Sequence, residues 1–311
     1  MRRRSAFGYA GAMDGTGTAG NRFPAQGWVG LLLVGIFWPL NWCLPGSRTL
    51  WGFFPLWLGY ALTMDGLTLA ASGSSLLRRG ARSYLGLFLC SAPIWWVFEA
   101  INGRTRNWIY LGVEDISRVE YAAFATLSFS TVLPAVFGTA EWASTLPWIR
   151  RLRNGPGIGA SKGLLWAAAF AGAGAFVAVM AVPDLFFPFV WISLALILDP
   201  LNRALGRPSL LGDLSRGDWR RIVSLSVGCL MCGFFWELWN VLSYPKWVYR
   251  VPHVDFCRIF EMPVLGYGGY IPFAFELFAL YHLLTSWLPR ESAFRAHVLP
   301  SSAAEKDREE A

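Results

Sequence analysis

The sequence is poor in charge. Only 15% of its 311 residues are Asp, Glu, Lys or Arg, against 55% hydrophobic, which leaves too little polar surface to cover a soluble globule of this size. It contains no P-loop, no G-x-S-x-G elbow, no H-E-x-x-H and no G-x-G-x-x-G at a strand–helix junction, so the usual sequence grounds for nucleotide, serine-hydrolase, zinc-peptidase or dinucleotide chemistry are missing. No aspartate-rich membrane motif is present; the only close pair, Asp213 and Asp218, sits in a basic loop. Ionisation of a diphosphate through Mg²⁺ is therefore not expected. Four of the five cysteines (Cys43, Cys90, Cys229, Cys232) lie in apolar runs, and the Cys229-x-x-Cys232 pair has no second pair or nearby histidine. Neither a disulfide framework nor a metal site follows, and no cofactor is expected.

What is present is apolar and aromatic. A crossing helix needs about 20 mostly apolar residues, and eight segments read as such: 27–44, 50–71, 84–102, 119–142, 163–183, 185–198, 222–243 and 264–288. The sixth is short and is set off from the fifth by Pro183-Asp184, with one kinked pair that never fully crosses as the other reading. The formal charge of +7 reports orientation here, not a nucleic-acid partner. Of the 27 Lys and Arg residues, 20 fall in the two tails and the even-numbered loops and 7 in the odd-numbered loops, which puts both termini in the cytoplasm.

The chain also repeats itself. Phe53-Phe54-Pro55, Trp57 and Asp65 recur as Phe186-Phe187-Pro188, Trp191 and Asp199, and Ser75-Leu76-Leu77 recurs as Ser209-Leu210-Leu211. Glu99, Asn102, Trp108 and Tyr110 recur as Glu237, Asn240, Trp247 and Tyr249. The expected fold is an all-α polytopic membrane helix bundle of about eight transmembrane helices in two parallel four-helix repeats, related by an axis near the membrane normal. Its parts are a disordered cytoplasmic N-tail (1–26), the first four-span repeat (27–149), a flexible basic linker (150–162), the second repeat (163–288) and a mostly disordered cytoplasmic C-tail (289–311).

Ionisable groups in a membrane span are candidates for function. Glu99 and Glu237 fall in the last, external turn of their helices, where the helix dipole and the apolar surroundings both disfavour a negative charge. They are candidate proton donors, with Asn102 and Asn240 three residues on along the same face. Glu120 and Glu261 fall at helix starts, where a carboxylate is stabilised, and are candidate bases or counter-charges. Trp95, Trp96, Trp236 and Trp239 flank the glutamates and could cradle a cation. The competing reading makes the Glu–Asn pairs interhelical glue, the other two glutamates helix caps and the tryptophans interfacial anchors. Asp65 and Asp199 read as helix ends with arginine partners. Glu276 and His282, six apart, fall on different helix faces.

Trp108-x-Tyr110 followed by Glu120, and Trp247-x-Tyr249 followed by Glu261, resemble heterodimer-type lycopene cyclases and the related small membrane terpene cyclases. The family's Pro-x-Glu-Glu is replaced by Phe260-Glu261-Met262-Pro263. The chain also resembles uncharacterised polytopic proteins of bacteria, which implies an inner-membrane location. The cyclase resemblance implies a cofactor-independent isoprenoid cyclase or isomerase, with a membrane lipid or isoprenoid as substrate and Trp108, Tyr110, Trp247 and Tyr249 beside it. A proton- or cation-coupled transporter and a non-catalytic scaffold are the alternatives.

Overall fold

The computed structural model describes residues 23–159, 161–289 and 292–299. It is mostly helical. In chain order the elements are α1 (Ala25–Cys43), α2 (Thr49–Ser72), α3 (Leu76–Arg79), α4 (Ala81–Thr105), β1 (Trp108–Leu111), α5 (Arg118–Phe129), α6 (Val132–Ser144), α7 (Pro147–Arg150), α8 (Lys162–Ala181), α9 (Pro183–Phe186), α10 (Ser193–Ala204), α11 (Leu210–Ser215), α12 (Arg220–Asn240), β2 (Lys246–Tyr249), β3 (Arg258–Ile259), β4 (Met262–Pro263) and α13 (Tyr270–Thr285).

Five helical stretches are long and apolar enough to cross a membrane: Ala81–Thr105, Arg118–Ser144, Lys162–Ala181, Arg220–Asn240 and Val264–Thr285. A sixth candidate is the pair Pro183–Trp191 and Ser193–Ala204, bent by 40° at a break. Helices α1 and α2 have spanning length, 19 and 24 residues, but Gly, Trp, Tyr and Asn dilute their apolar sequence. The outer faces fit a lipid solvent. On α8, apolar nearly all round, Trp166 and Phe170 are 65% and 71% exposed, and a helix of that kind is stable with its sides bare only in hydrocarbon. In length and composition these helices are compatible with an integral membrane protein.

The core is aromatic. Trp57 of α2 is fully buried against Trp236 and Trp239 of α12, with ring centroids 5.1 and 4.9 Å away. Helix α12 also packs closely on α6, and the contact needs Gly228: a Cβ there would meet the Ala140 backbone nitrogen at 2.6 Å.

Several expectations change. The fold is not wholly helical, because each Trp-x-Tyr segment is a short strand and the two pair antiparallel. The expected fourth span is present as one stretch, interrupted only at residues 130 and 131 between α5 and α6, and the sixth is bent by 40°. Among the described residues neither Asp65 nor Asp199 forms an ion pair with arginine. Asp65 accepts hydrogen bonds from Ser75 Oγ at 2.8 Å and Leu77 N at 2.9 Å. Asp199 does the same with Ser209 Oγ at 2.9 Å and with Leu210 N and Leu211 N at 2.6 and 2.9 Å. Each aspartate thus satisfies amides that open a short helix, α3 or α11. The basic linker is tied down, with Gly155 N donating to Gly217 O at 2.8 Å and Ile158 N to Leu214 O at 2.9 Å. Part of the C-tail is packed: Ala296, Val298 and Leu299 are buried, and Leu299 N donates to Glu141 Oε1 at 3.0 Å. The N-tail expectation falls almost wholly on residues outside those described, as does the end of the C-tail.

Candidate functional site

Helices α4 and α12 end in the same way. After each, the chain must turn back into a strand, and an asparagine fastens the turn. Asn102 Nδ2 donates to Trp108 O at 2.9 Å while its Oδ1 accepts from Trp108 N at 3.2 Å. Asn240 does the same with Trp247, at 2.7 and 3.0 Å. A side-chain amide is suited to this because it offers a donor and an acceptor together. The expected role of these asparagines as partners of the glutamates is replaced by one of fixing the strands.

The strands pair with Trp108 opposite Tyr249 and Tyr110 opposite Trp247. Alternate residues of a strand share a face, so an indole and a phenol from each strand are presented together, back toward the helix that precedes it. Glu99 Oε1 accepts from Trp95 Nε1 at 2.9 Å, Trp108 Nε1 at 3.1 Å and Tyr110 OH at 2.6 Å. Glu237, fully buried, accepts on Oε1 from Tyr249 OH at 2.6 Å and Tyr270 OH at 2.8 Å. Its Oε2 has no hydrogen-bond partner among the described residues. Trp247 Nε1 donates to Tyr249 OH at 2.9 Å, which completes a chain from indole to phenol to carboxyl. Burial, then the neighbouring glutamate, raises the phenol pKa of Tyr110 and of Tyr249 well above the ordinary value, so both stay protonated as donors.

These groups surround a cavity of about 490 Å³. Six of the aromatic residues expected at the site line it: Trp95, Trp108, Tyr110, Trp236, Trp247 and Tyr249. Trp191, Phe273 and Tyr270 line it too, and the sequence did not single them out for this role. Tyr270 has no counterpart among the doubled residues, and it reaches Glu237 only because Gly233 leaves room; a Cβ at 233 would lie 2.4 Å from its ring. The glutamates are not part of the lining and stand behind their indoles and phenols.

The other expected residues lie apart. Trp96 donates to Thr126 Oγ1 at 3.0 Å, and Trp239 is buried in the core beside Trp57. Neither lines the cavity. Glu120 is exposed and forms a capping box with Ser117 at the start of α5. Glu261 pairs with Lys246, which does line the cavity. Glu276 accepts from Leu194 N at 2.9 Å at the start of α10, while His282 is buried against Phe278 and Tyr281. Among the described residues no group of three or more His, Cys, Asp or Glu is placed to hold a metal.

Fold and cavity together define a polytopic helical membrane protein with an aromatic chamber at the ends of α4 and α12. No protein family, curated protein or solved structure matches the chain.

Proposed function

We propose that the protein is an integral membrane enzyme that cyclises or isomerises an unsaturated isoprenoid lipid by proton transfer. The observation that carries this reading is the chamber itself: about 490 Å³, walled by indoles and phenyl rings, with a carboxyl group behind each of two phenols. Such walls suit a hydrocarbon chain and can stabilise a carbocation through the ring faces.

The two carboxyl groups divide the work. An ionised carboxylate sealed from water with one oxygen unpartnered costs more than the neutral acid in the same place; this favours Glu237 as the donor. Three donors converging on Glu99 Oε1 are the setting of a carboxylate that receives a proton. In the proposed reaction the Glu237 carboxyl turns its proton toward Tyr249 or Tyr270 and that phenol's hydroxyl turns to the substrate, so that a carbon–carbon double bond takes the phenol's proton as Glu237 replaces it. The cation, or the ring it closes, then loses a proton from a neighbouring carbon through Tyr110 to Glu99. The substrate gains one proton and loses one, so no oxidant or reductant is required.

The same reading takes α1, α2, α4, α5 with α6, α8, α9 with α10, α12 and α13 as eight crossings in two four-span halves, the termini in the cytoplasm of a bacterial cell. The matched Asp–Ser, Asn–Trp and Glu–Tyr bonds of the two halves support it. So does the strand register, in which Ile109 faces its own counterpart Val248 while Trp108 and Tyr110 face each other's counterparts, Tyr249 and Trp247, as a two-fold axis through the pair would require.

The test is product analysis by mass spectrometry. The protein, reconstituted in nanodiscs, is supplied with linear isoprenoids in D₂O. Deuterium should enter the product with the wild type, and Glu237→Gln, which keeps the shape and removes the acid, should abolish it. Product formation unchanged in that variant, or pH-dependent ion flux in proteoliposomes without any product, would overturn the reading.

A further inference from the structure

A second cavity, of about 440 Å³, lies at the opposite end of the bundle, where α2 and α6 end and α12 begins. Ser224 lines it and Trp236 lines the aromatic chamber; at 1.5 Å per residue along α12 the two are about 18 Å apart. The walls of this second cavity are polar and rich in arginine. Arg79, Arg150, Arg153, Arg220 and Arg221 line it against Glu141, Asp213 and Asp218, a formal excess of two positive charges. The three acids are engaged: Glu141 by Arg79, Asp213 by Arg221 and by Arg216, Asp218 by Arg220. No ion pair or hydrogen bond among the described residues engages the guanidinium of Arg150 or Arg153, which remain at the rim. In the wall, the Ser224 hydroxyl is fully buried without a partner among the described residues. An orphan hydroxyl in a closed structure costs free energy unless a ligand or water meets it.

The second cavity has a built frame. Leu299 lines it and is held by both sides of the ion-pair set: its amide donates to Glu141 and its carbonyl accepts from Arg221 Nη2 at 3.1 Å. Two fixed ion pairs are thus locked by the C-terminal stretch, leaving the rim arginines as the uncompensated charge. Guanidinium groups bind phosphate oxygens with paired N–H donors.

We infer that this cavity binds a doubly charged phosphate group, with Arg150 and Arg153 as its charge partners and Ser224 as an inner donor. The phosphate is either the headgroup of an anionic lipid entering from the bilayer surface or a free anion. The site is independent of the chemistry assigned to the aromatic chamber.

Full-length protein in detergent is titrated with inorganic phosphate by calorimetry, and the same protein is incorporated into phosphatidylcholine nanodiscs with and without phosphatidate, with bound phosphatidate quantified by mass spectrometry. The rim is removed in the double variant Arg150→Gln, Arg153→Gln, both of whose positions are exposed, and Ser224→Ala tests the inner donor. Arg104→Gln, exposed and at the other end of the bundle, controls for loss of charge as such. Binding of inorganic phosphate that weakens about tenfold or more in the double variant identifies a free-anion site. Indifference to inorganic phosphate, with phosphatidate retention that falls about tenfold in the double variant, identifies a headgroup site. The inference is overturned if wild type binds neither probe, if the double variant binds as well as wild type, or if Arg104→Gln weakens binding equally.

Discussion

Glu99 and Glu237 end corresponding helices, stand behind corresponding strands and accept from corresponding tyrosines, yet their surroundings differ in two ways. Glu99 is partly exposed, and two indoles and one phenol share a single oxygen. Glu237 is sealed, held by two phenols, and has one oxygen unpartnered. The change is local: the indole of the second strand, Trp247, bonds to Tyr249 where Trp108 bonds to Glu99 directly, and Tyr270 of α13 takes the vacated place on the carboxyl. A doubled motif therefore does not make a doubled site, because neighbours outside the motif decide what each carboxyl can do.

The largest expected effect is a loss of activity of about 10²- to 10⁴-fold for Glu237→Gln, the range for removing a proton donor. Glu99→Gln should slow the reaction while leaving deuterium uptake from the donor step visible in partly converted material. If the two variants behave alike in a D₂O product assay, the division into donor and acceptor is wrong.

Tyr270 sharpens the contrast, since only the second site has it. Tyr270→Phe should reduce turnover about tenfold through loss of one hydrogen bond to the acid, and Gly233→Ala, which drives a Cβ into the Tyr270 ring, should do at least as much. Tyr121 lies near the first site, its ring centroid 6.1 Å from that of Tyr110. The donors to Glu99 are Trp95, Trp108 and Tyr110, so Tyr121→Phe should have no such effect. Turnover unchanged in Tyr270→Phe would remove Tyr270 from the proton path.

The asparagines test the feature the two sites share. Asn102→Leu and Asn240→Leu each leave a strand N–H and C=O without their partner in a buried place, at about 1–3 kcal/mol per unsatisfied group. Both variants should unfold at lower temperature by similar amounts in a thermal melt. A large difference between them would mean that the two turns are not equivalent supports.

Much of the helical frame was legible because apolar runs of membrane length are hard to mistake. The observed α4, α8 and α12 begin within three residues of the expected 84, 163 and 222. The strands were not legible: four residues of Trp, Tyr and apolar side chains also describe an interfacial anchor, and nothing local reveals that 108–111 meets 246–249. The aspartate caps were within reach, since Asp65 and Asp199 each precede a Ser-Leu-Leu by the same spacing, and an acid that repeats with its serine argues for a bond between them. Trp96 and Trp239 show where proximity in sequence misleads. Trp239 is two residues from Glu237, a spacing that a helix turns to another face, whereas Trp96 shares the face of Glu99 but is drawn to Thr126 of α5, so nearness to the glutamates did not bring either to the chamber. Tyr270, distant in sequence and undoubled, is visible only in the fold.

The smallest expected effect concerns Glu120, which the resemblance and its place after Trp108-x-Tyr110 made equal to Glu261. In the structure the two part. Glu120 is exposed and closes a capping box, accepting from Ser117 N at 3.3 Å and Ser117 Oγ at 2.8 Å, whereas Glu261 pairs with Lys246 on the cavity wall. Glu120→Ala should lower the unfolding midpoint by no more than about 2 °C, since an exposed carboxylate at a helix start contributes little, and should leave the product unchanged. Glu261→Ala frees Lys246 beside the chamber, so its effect should appear in substrate affinity instead. If Glu120→Ala impairs product formation as much as Glu261→Ala does, then Glu120 acts on the chamber in a conformation other than this one, and the resemblance will have been the better guide to that residue.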